Sequence, residues 1–381
     1  MRFWSKEAIL AVGGVAAAAA IGFIFTGHAA AQQAPPKGPI AGTTFKNVNT
    51  ASLKDLTVDD FLGAMGVMAA ALGYDCADCH PGAGSDRVDW VIDTPKKVRA
   101  RKMVDMVASI NKTFFAGTQS VTCFTCHHGK DLPTTTIALD TLYGPPNDER
   151  RDVIFAAEGA PPATQILDKY IQALGGAQRL AAVNSFIATG ASLGYEGLGG
   201  GGSFTIYGQR PDKRTTKIEF KEHPERGNST RTFDGKAGWI KSPRSLLGEF
   251  ELTGTEWDGA RLDALLAFPD QIKTALTNWK VGSLESMGDK DVQVLQGSGP
   301  RGVLATFFFD KDSGLLIREV RYGTSPIGHV PIQMDFSDYR DVNGVKFPFK
   351  YQFSWLDGRD NFQLSQVRTN VPIDASQFSK P

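Results

Sequence analysis

Two short stretches decide how this chain is read: Tyr74-Asp-Cys76-Ala-Asp-Cys79-His80-Pro81 and Val121-Thr-Cys123-Phe-Thr-Cys126-His127-His-Gly129. They contain all four cysteines of the 381 residues, each pair spaced Cys-x-x-Cys and followed at once by histidine. This is the c-type haem attachment pattern, written twice. The spacing has a chemical reason: two thiols one helical turn apart can add to the two vinyl groups of a single porphyrin, and the adjacent imidazole then faces the iron as its proximal ligand. Cys76, Cys79, Cys123 and Cys126 are therefore the expected covalent attachment points for two haem c groups, with His80 and His127 as axial ligands. Disulfides, a four-thiolate zinc site and a thioredoxin-like redox pair are the alternatives for such pairs. The zinc reading wants a shorter spacer than the 43 residues between Cys79 and Cys123, and none of the three accounts for a histidine after both pairs.

An iron held by one histidine needs a second axial ligand to act as a low-spin carrier, and methionine is the common choice where a higher potential is needed. Met65 and Met68 precede the first motif, and Met103 and Met106 precede the second. Thr57-x-x-Asp60 opens an amphipathic helix that runs through Phe61, Met65, Met68 and Leu72 to Gly73. Thr94-Pro95 opens another, with proline at its first position, through Val98, Met103, Met106 and Ile110 to about Phe114. Methionine on an apolar helical face is ordinarily core filler. Here the missing ligands and the repeated arrangement favour one ligand per helix.

From Phe45 to about Pro133 the run F-L-G-A-M-G-V-M-A-A-A-L-G-Y-D-C-A-D-C-H, the helix A-R-K-M-V-D-M-V-A-S-I-N-K and V-T-C-F-T-C-H-H-G resemble the first half of the cytochrome subunit of photosynthetic reaction centres, most closely its short two-haem members. Carried over by position, the resemblance makes Met65 the sixth ligand of the Cys76/Cys79 haem and Met103 that of the Cys123/Cys126 haem, with Met68 and Met106 as alternatives that otherwise pack. The longer members of that family carry four attachment motifs and a further histidine after the second helix. This chain has two motifs, and its corresponding region reads Thr113-Phe114-Phe115-Ala116-Gly117. Photosynthesis itself is not implied, since the same module could serve any exported oxidase, dehydrogenase or reaction centre.

The N-terminus carries Arg2 and Lys6, an apolar run from Ala8 to Phe25, and Ala29-Ala30-Ala31 before Gln32. This is the pattern of an export signal cleaved near Ala31, with an uncleaved inner-membrane tether as the alternative. The expected location is periplasmic. Equal numbers of basic and acidic side chains, 41 of each, give no reason to expect nucleic acid. Asp75, Asp78, Asp86, Asp89 and Asp93 crowd the first motif, and Lys96, Lys97, Arg99, Arg101 and Lys102 the second helix. Such segregation could steer a redox partner, although solvated faces are the favoured reading.

The fold expected is α+β: a mainly helical dihaem cytochrome c module, then an antiparallel, curved β-sheet domain with a few helices. In residue terms this means signal or anchor 1–31, flexible leader 32–44, dihaem domain 45–132, a proline-rich linker 133–164 and a β-rich domain 165–381. Within the last, a helix over Ile166–Leu180 breaks at Gly175-Gly176, and about ten strands follow between Phe204 and Val367, separated by turns such as Asp234-Gly235 and Asn343-Gly344. The Asp310-x-x-x-Gly314-Leu315 turn and the Y-R-D-V-N-G-V-K-F-P hairpin resemble periplasmic lipoprotein-carrier folds, which shelter an apolar ligand; a packed core gives the same pattern and is preferred. The glycine run 199–202 lacks the context of a phosphate loop, and His223 and His329 are isolated.

The function expected is electron transfer between redox partner proteins, among them a membrane-bound reaction centre or other membrane complex, rather than catalysis. A dihaem peroxidase with one open iron, and a haem-bearing sensor or binding module, are the competing classes. A haem-stained denaturing gel and a pyridine haemochrome titration should agree on two covalently bound haems per chain. One haem per chain, or haem released by acid acetone, would contradict the reading.

Overall fold

Thr57 starts the first long helix as expected: its hydroxyl accepts the Asp60 amide at 3.3 Å, and the helix ends on Gly73 at φ +65°. The computed structural model describes residues 38–381 except 86, 137–138, 140–151, 195–201, 222–223, 225–226, 244–246 and 357. The export segment 1–31, His223, Asp86, Pro145, Pro146 and most of the glycine run lie outside the described residues. In chain order the helices are α1 (Ala41–Thr44), α2 (Ala51–Lys54), α3 (Val58–Leu72), α4 (Cys76–Cys79), α5 (Pro95–Phe114), α6 (Cys123–His127), α7 (Ala163–Ala173), α8 (Ala177–Ala181), α9 (Gly254–Leu266) and α10 (Ile272–Ala275). Of the stretch 32–44, residues 38–44 are described: α1 buries Ala41 completely and its amide donates to Leu56 O. Among the described residues no helix is long and apolar enough to cross a membrane.

The C-terminal strands are β1 (Ser185–Gly194), β2 (Gly202–Gln209), β3 (Lys213–Glu219), β4 (Ser229–Phe233), β5 (Gly238–Lys241), β6 (Glu249–Glu251), β7 (Thr277–Val281), β8 (Glu285–Met287), β9 (Lys290–Ser298), β10 (Leu304–Asp310), β11 (Leu316–Ser325), β12 (Gly328–Val342), β13 (Val345–Trp355) and β14 (Gly358–Thr369). They form one antiparallel, unclosed, curved sheet in the order β6-β5-β4-β3-β2-β1-β14-β13-β12-β11-β10-β9-β7, with β8 paired to β9. The strands expected from Phe204 onward all form. Central β1 was not expected, because Ser-Phe-Ile-Ala-Thr-Gly-Ala-Ser is rich in small residues. The tight pairing explains those residues: a Cβ on Gly190 would lie 2.1 Å from Gln363 O and 2.8 Å from the Phe204 ring, and the β1–β14 register shifts there.

One large core joins α7, α8, α9 and α10 to the sheet through Leu167, Leu180, Leu262, Ile272, Phe204 and Phe307. A second core matters more for the helical segment that carries the two motifs. Leu53, Ala64, Val67 and Val104 close around Ile327, which is fully buried and comes from the β11–β12 turn. Val330 and Leu356 of the sheet pack on the same group. The turn is also tied by hydrogen bonds: the Cys123 amide donates to Ile327 O at 3.1 Å, and Gln119 Nε2 donates to Ser325 O at 2.6 Å.

A polar clasp joins the helices as well. Thr253, the residue before α9, makes no side-chain cap of its own. Instead Asp59 of α3 accepts the Thr253 amide at 2.8 Å and its hydroxyl at 3.1 Å, while Asp60 accepts the Thr255 hydroxyl at 3.1 Å. Two carboxylates thus satisfy the start of a helix from across the interface, where the helix dipole favours them. Gly254, at φ +51°, has no room for a Cβ, which would come within 2.5 Å of Asp60 Oδ2.

Burial pushes the Asp59 carboxyl up to about 7, helped by the nearby Glu256 charge and opposed by the Thr253 hydrogen bonds. The folded chain therefore holds a proton at Asp59 that the unfolded chain releases near its ordinary value of 3.8. From about pH 4 to pH 7, stability falls as pH rises, because the native state binds more protons than the unfolded state. Asp59→Asn, which keeps an acceptor for Thr253, should remove part of that decline in denaturant titrations between pH 5 and pH 8. Ile327→Ala should destabilise the full chain by about 2–5 kcal/mol, the usual cost of emptying a packed aliphatic site, measured in the same titrations.

Candidate functional site

Each attachment motif folds as one capped helical turn. In α4, Asp75 and Asp78 form a reciprocal capping box, each carboxylate accepting the other's amide at 3.1 Å. In α6, Thr122 and Thr125 do the same with hydroxyls, at 3.0 and 3.3 Å. The residues that flank and separate the cysteines are therefore chosen for the turn: they hold two thiols one turn apart. Burial pushes the Cys79 and Cys123 thiols up from their ordinary value, the opposite of what a nucleophilic redox pair requires. Among the described residues no three His, Cys, Asp or Glu side chains gather as a metal-holding group, so the four sulfurs do not converge on a shared zinc position.

The two histidines are prepared differently. His127 Nδ1 lies 2.9 Å from Lys130 O. A carbonyl only accepts, so Nδ1 carries the proton and the Nε2 lone pair is left available, the arrangement by which a ligating imidazole is usually oriented. The His80 ring lies 4.9 Å from the Trp90 ring, and its Nδ1 is buried without a hydrogen-bond partner. Burial, with Lys97 adding to it, pushes His80 down to about 4, so the ring is neutral at physiological pH and able to donate a lone pair.

A cleft between α3, α5 and α6, about 600 Å³ with its open mouth, brings Met103, Cys123 and His127 together. Met68 and Cys79 line the same cleft. Met65 is half-buried against the Ile327 core and is not part of that lining. Met106, Cys76 and Cys126 are exposed. Most of the exposed large apolar side chains among the described residues fall between 90 and 132, including Trp90, Ile92, Val98, Phe114 and Phe124. A sheet domain that buries its aromatics so thoroughly sits beside a helical segment that leaves its own uncovered. The uncovered apolar side chains and the thiols of that segment fit a large apolar group held covalently at the motifs.

Asn111 organises the approach to the second motif. It is buried, donates to Val121 O at 2.7 Å, and accepts the amides of Ser120 and Val121 at 3.0 and 2.9 Å. The charged clusters pair with one another and with the chain: Lys96 with Asp78 at 2.7 Å, Arg101 with Asp93 at 2.6 Å, and Lys97 with the carbonyls of Trp90 and Ile92. Arg99 and Asp131 line the cleft. Sequence reasoning missed Trp90, the Lys130 carbonyl, and Ser325 and Ile327. The first two had no motif to mark them, and the hairpin lies some 200 residues away along the chain, as the Gln119–Ser325 separation of 206 shows.

Residues 24–153 match the photosynthetic reaction centre cytochrome c subunit family. The photosynthetic reaction center cytochrome c subunit of Thermochromatium tepidum is 30% identical over 146 residues, which cover 35% of this chain and 34% of that protein. The chain thus spans about a third of that relative's length. Solved structures cover a larger share of the chain. A DUF1329 family protein from Desulfovibrio piger covers 58% of this chain and 98% of its own, with 13% identity and a TM-score of 0.41. A LolA superfamily protein from Nitrosomonas europaea covers 58% and 99%, with 14% identity and a TM-score of 0.38. The reaction-centre cytochrome resemblance noted for the first part of the chain is thus met.

Proposed function

We propose that the chain is an exported dihaem c-type cytochrome that carries electrons between redox partner proteins. The observation that carries this reading is the cleft in which Met103, Cys123 and His127 come together while Lys130 O holds the His127 proton on the far nitrogen. In this reading Cys76 and Cys79 hold one haem c, with His80 and Met65 as axial ligands. Cys123 and Cys126 hold the other, with His127 and Met103. Bound haem supplies one-electron exchange at iron, and the protein residues set where and at what potential that exchange happens. The capped turns present the thiols, Asn111 and the Ile327 carbonyl place α6, Trp90 shields His80, and the uncovered apolar side chains exclude water from the haem faces.

Thioether ligands on both irons leave no open coordination position, which separates this reading from a dihaem peroxidase. Arg2, Lys6 and the apolar run that follows support a periplasmic location for the mature protein, cleaved near Ala31 or tethered. A partner of the membrane-bound reaction-centre or oxidase type fits that location. Asp78, Asp93, Lys96 and Arg101 are spent in ion pairs and Lys97 on backbone carbonyls, so docking falls to the exposed apolar side chains and to Lys102 and Arg99.

Met103→Leu should leave both haems attached, because the thioethers and His127 remain, and should abolish the sulfur-to-iron charge-transfer band of one haem only. Met65→Leu should do the same to the other. If Met65→Leu is spectroscopically silent while Met68→Leu, whose side chain lines the cleft with Cys79, is not, the ligand on α3 is Met68. A persistent high-spin fraction with peroxide turnover in the unmodified protein would overturn the carrier reading.

A further inference from the structure

The two attachment turns are fastened by different parts of the chain. In α4 the Cys79 carbonyl accepts the Thr94 hydroxyl at 3.2 Å, and Asp78 binds Lys96 at 2.7 Å. Both partners belong to the start of α5, 15 and 18 residues away. In α6 the Cys123 amide donates to Ile327 O at 3.1 Å, and Gln119, just before the turn, donates to Ser325 O at 2.6 Å across a separation of 206 residues. The second turn alone, of these contacts, is held by the tip of the β11–β12 hairpin.

That tip is built to keep one shape. Ser325 is buried, and its hydroxyl donates to Gly328 O at 2.6 Å and accepts the Ile327 amide at 3.4 Å. A Cβ on Gly328 would come within 2.8 Å of Val67 Cγ1, so the tip lies hard against α3. An amide in the first turn of a helix has no partner inside that helix, and the Ile327 carbonyl supplies one to Cys123. The far end of α6 is tied elsewhere: the Gly129 amide donates to Ala71 O at 2.9 Å. Loosening the hairpin contact therefore lets α6 turn about its far end and shifts His127 relative to Met103 on α5.

We propose that the β11–β12 hairpin sets the reduction potential of the Cys123/Cys126 haem, with Gln119 and Ser325 as the positioning residues, so that the sheet domain governs one of the two electron sites. This rests on the dihaem reading and adds to it a control that lies outside the helical segment. A thioether ligand raises a haem's potential, so a His127 turned out of line with Met103 weakens that bond and lowers the potential. The Cys76/Cys79 haem answers less, because the fastenings of α4 come from α5. Met65 packs on the same group as Ile327, so substitution of Ile327 itself would reach both haems. Gln119 lies on the α6 side of the contact and separates them.

Redox titration of the full haem-loaded chain tests it, the second haem being the one whose sulfur-to-iron band Met103→Leu removes. Gln119→Leu should lower the ferrous-to-ferric ratio of that haem at a fixed potential up to about tenfold, the worth of one hydrogen bond, or about 59 mV for one electron. The other haem should move by no more than about twofold in the same ratio. Ser325→Ala, which unlocks the tip, should act in the same direction, and Gln119→Lys, which keeps a donor, should restore most of the loss. Linkage gives a second measurement on the unaltered chain: reduction must strengthen the contact by the factor with which the contact favours reduction, so the Cys123 amide should exchange with solvent up to about tenfold more slowly in the ferrous protein. Two haems whose potentials stay put in Gln119→Leu, or shift together, would overturn the proposal and leave the dihaem reading standing. Equal exchange of the Cys123 amide in both oxidation states would do the same, and decides the matter should the variants fail to fold. Fewer than two haems per chain would overturn the reading itself, and the proposal with it.

Discussion

The hydrogen bond from the Cys123 amide to Ile327 O, with the isoleucine side chain fully buried beside it, is the contact on which the cytochrome segment depends. A module of fewer than a hundred residues has little interior to offer. Here the interior between α3 and α5 is completed by a residue from a β-turn, and the same turn holds the backbone of an attachment cysteine. Gln119, Val330 and Leu356 extend that contact on either side. The division at residues 133–164 expected from the sequence is therefore crossed by packing: the described residues form one compact unit. The helical segment and the sheet share a core, and the geometry of the second motif is set in part by the strand hairpin.

The electrostatics follow from the same economy. Acidic residues near the first motif look like a docking surface when read in a row, yet Asp75 and Asp78 cap a helical turn, Asp78 also binds Lys96, and Asp93 binds Arg101. Asp59 and Asp60, one helix earlier, cap a helix of the other half of the protein. Further along α9, Glu256 accepts Arg231 at 2.8 Å and lies 3.9 Å from buried Arg321. Helix α9 is thus clasped at its start by the cytochrome segment. Each charge is placed where a backbone end or an opposite charge repays its burial.

Much of the local structure was legible because local causes produce it. Thr57, Gly73 and Thr94-Pro95 delimit their helices with side-chain caps, a left-handed stop and a proline at the first position, and those signals need no tertiary partner. The strand that carries Phe204 alternates buried and open side chains in the ordinary way. Strand β1 did not, because its small residues answer to close approach by β14 and Phe204 rather than to burial of its own side chains. The expected capping box at Thr57 formed only by half: Asp60 binds the Thr57 hydroxyl and turns to Thr255 instead of reaching back to the Thr57 amide. A stronger demand, the open end of α9, took the carboxylate.

What the amino-acid order determines by itself is the chemistry of attachment: two Cys-x-x-Cys-His turns, each with its own capping residues, and methionine-bearing helices before them. That information is local because thiols on one turn must match one ring. Only the tertiary structure decides which groups hold those turns in place. The Lys130 carbonyl on His127, Trp90 against His80, and Ile327 beneath Cys123 come from a neighbouring loop or from a strand turn some 200 residues away. Nothing in a run of residues records such a contact, because burial is settled by what the whole chain brings together.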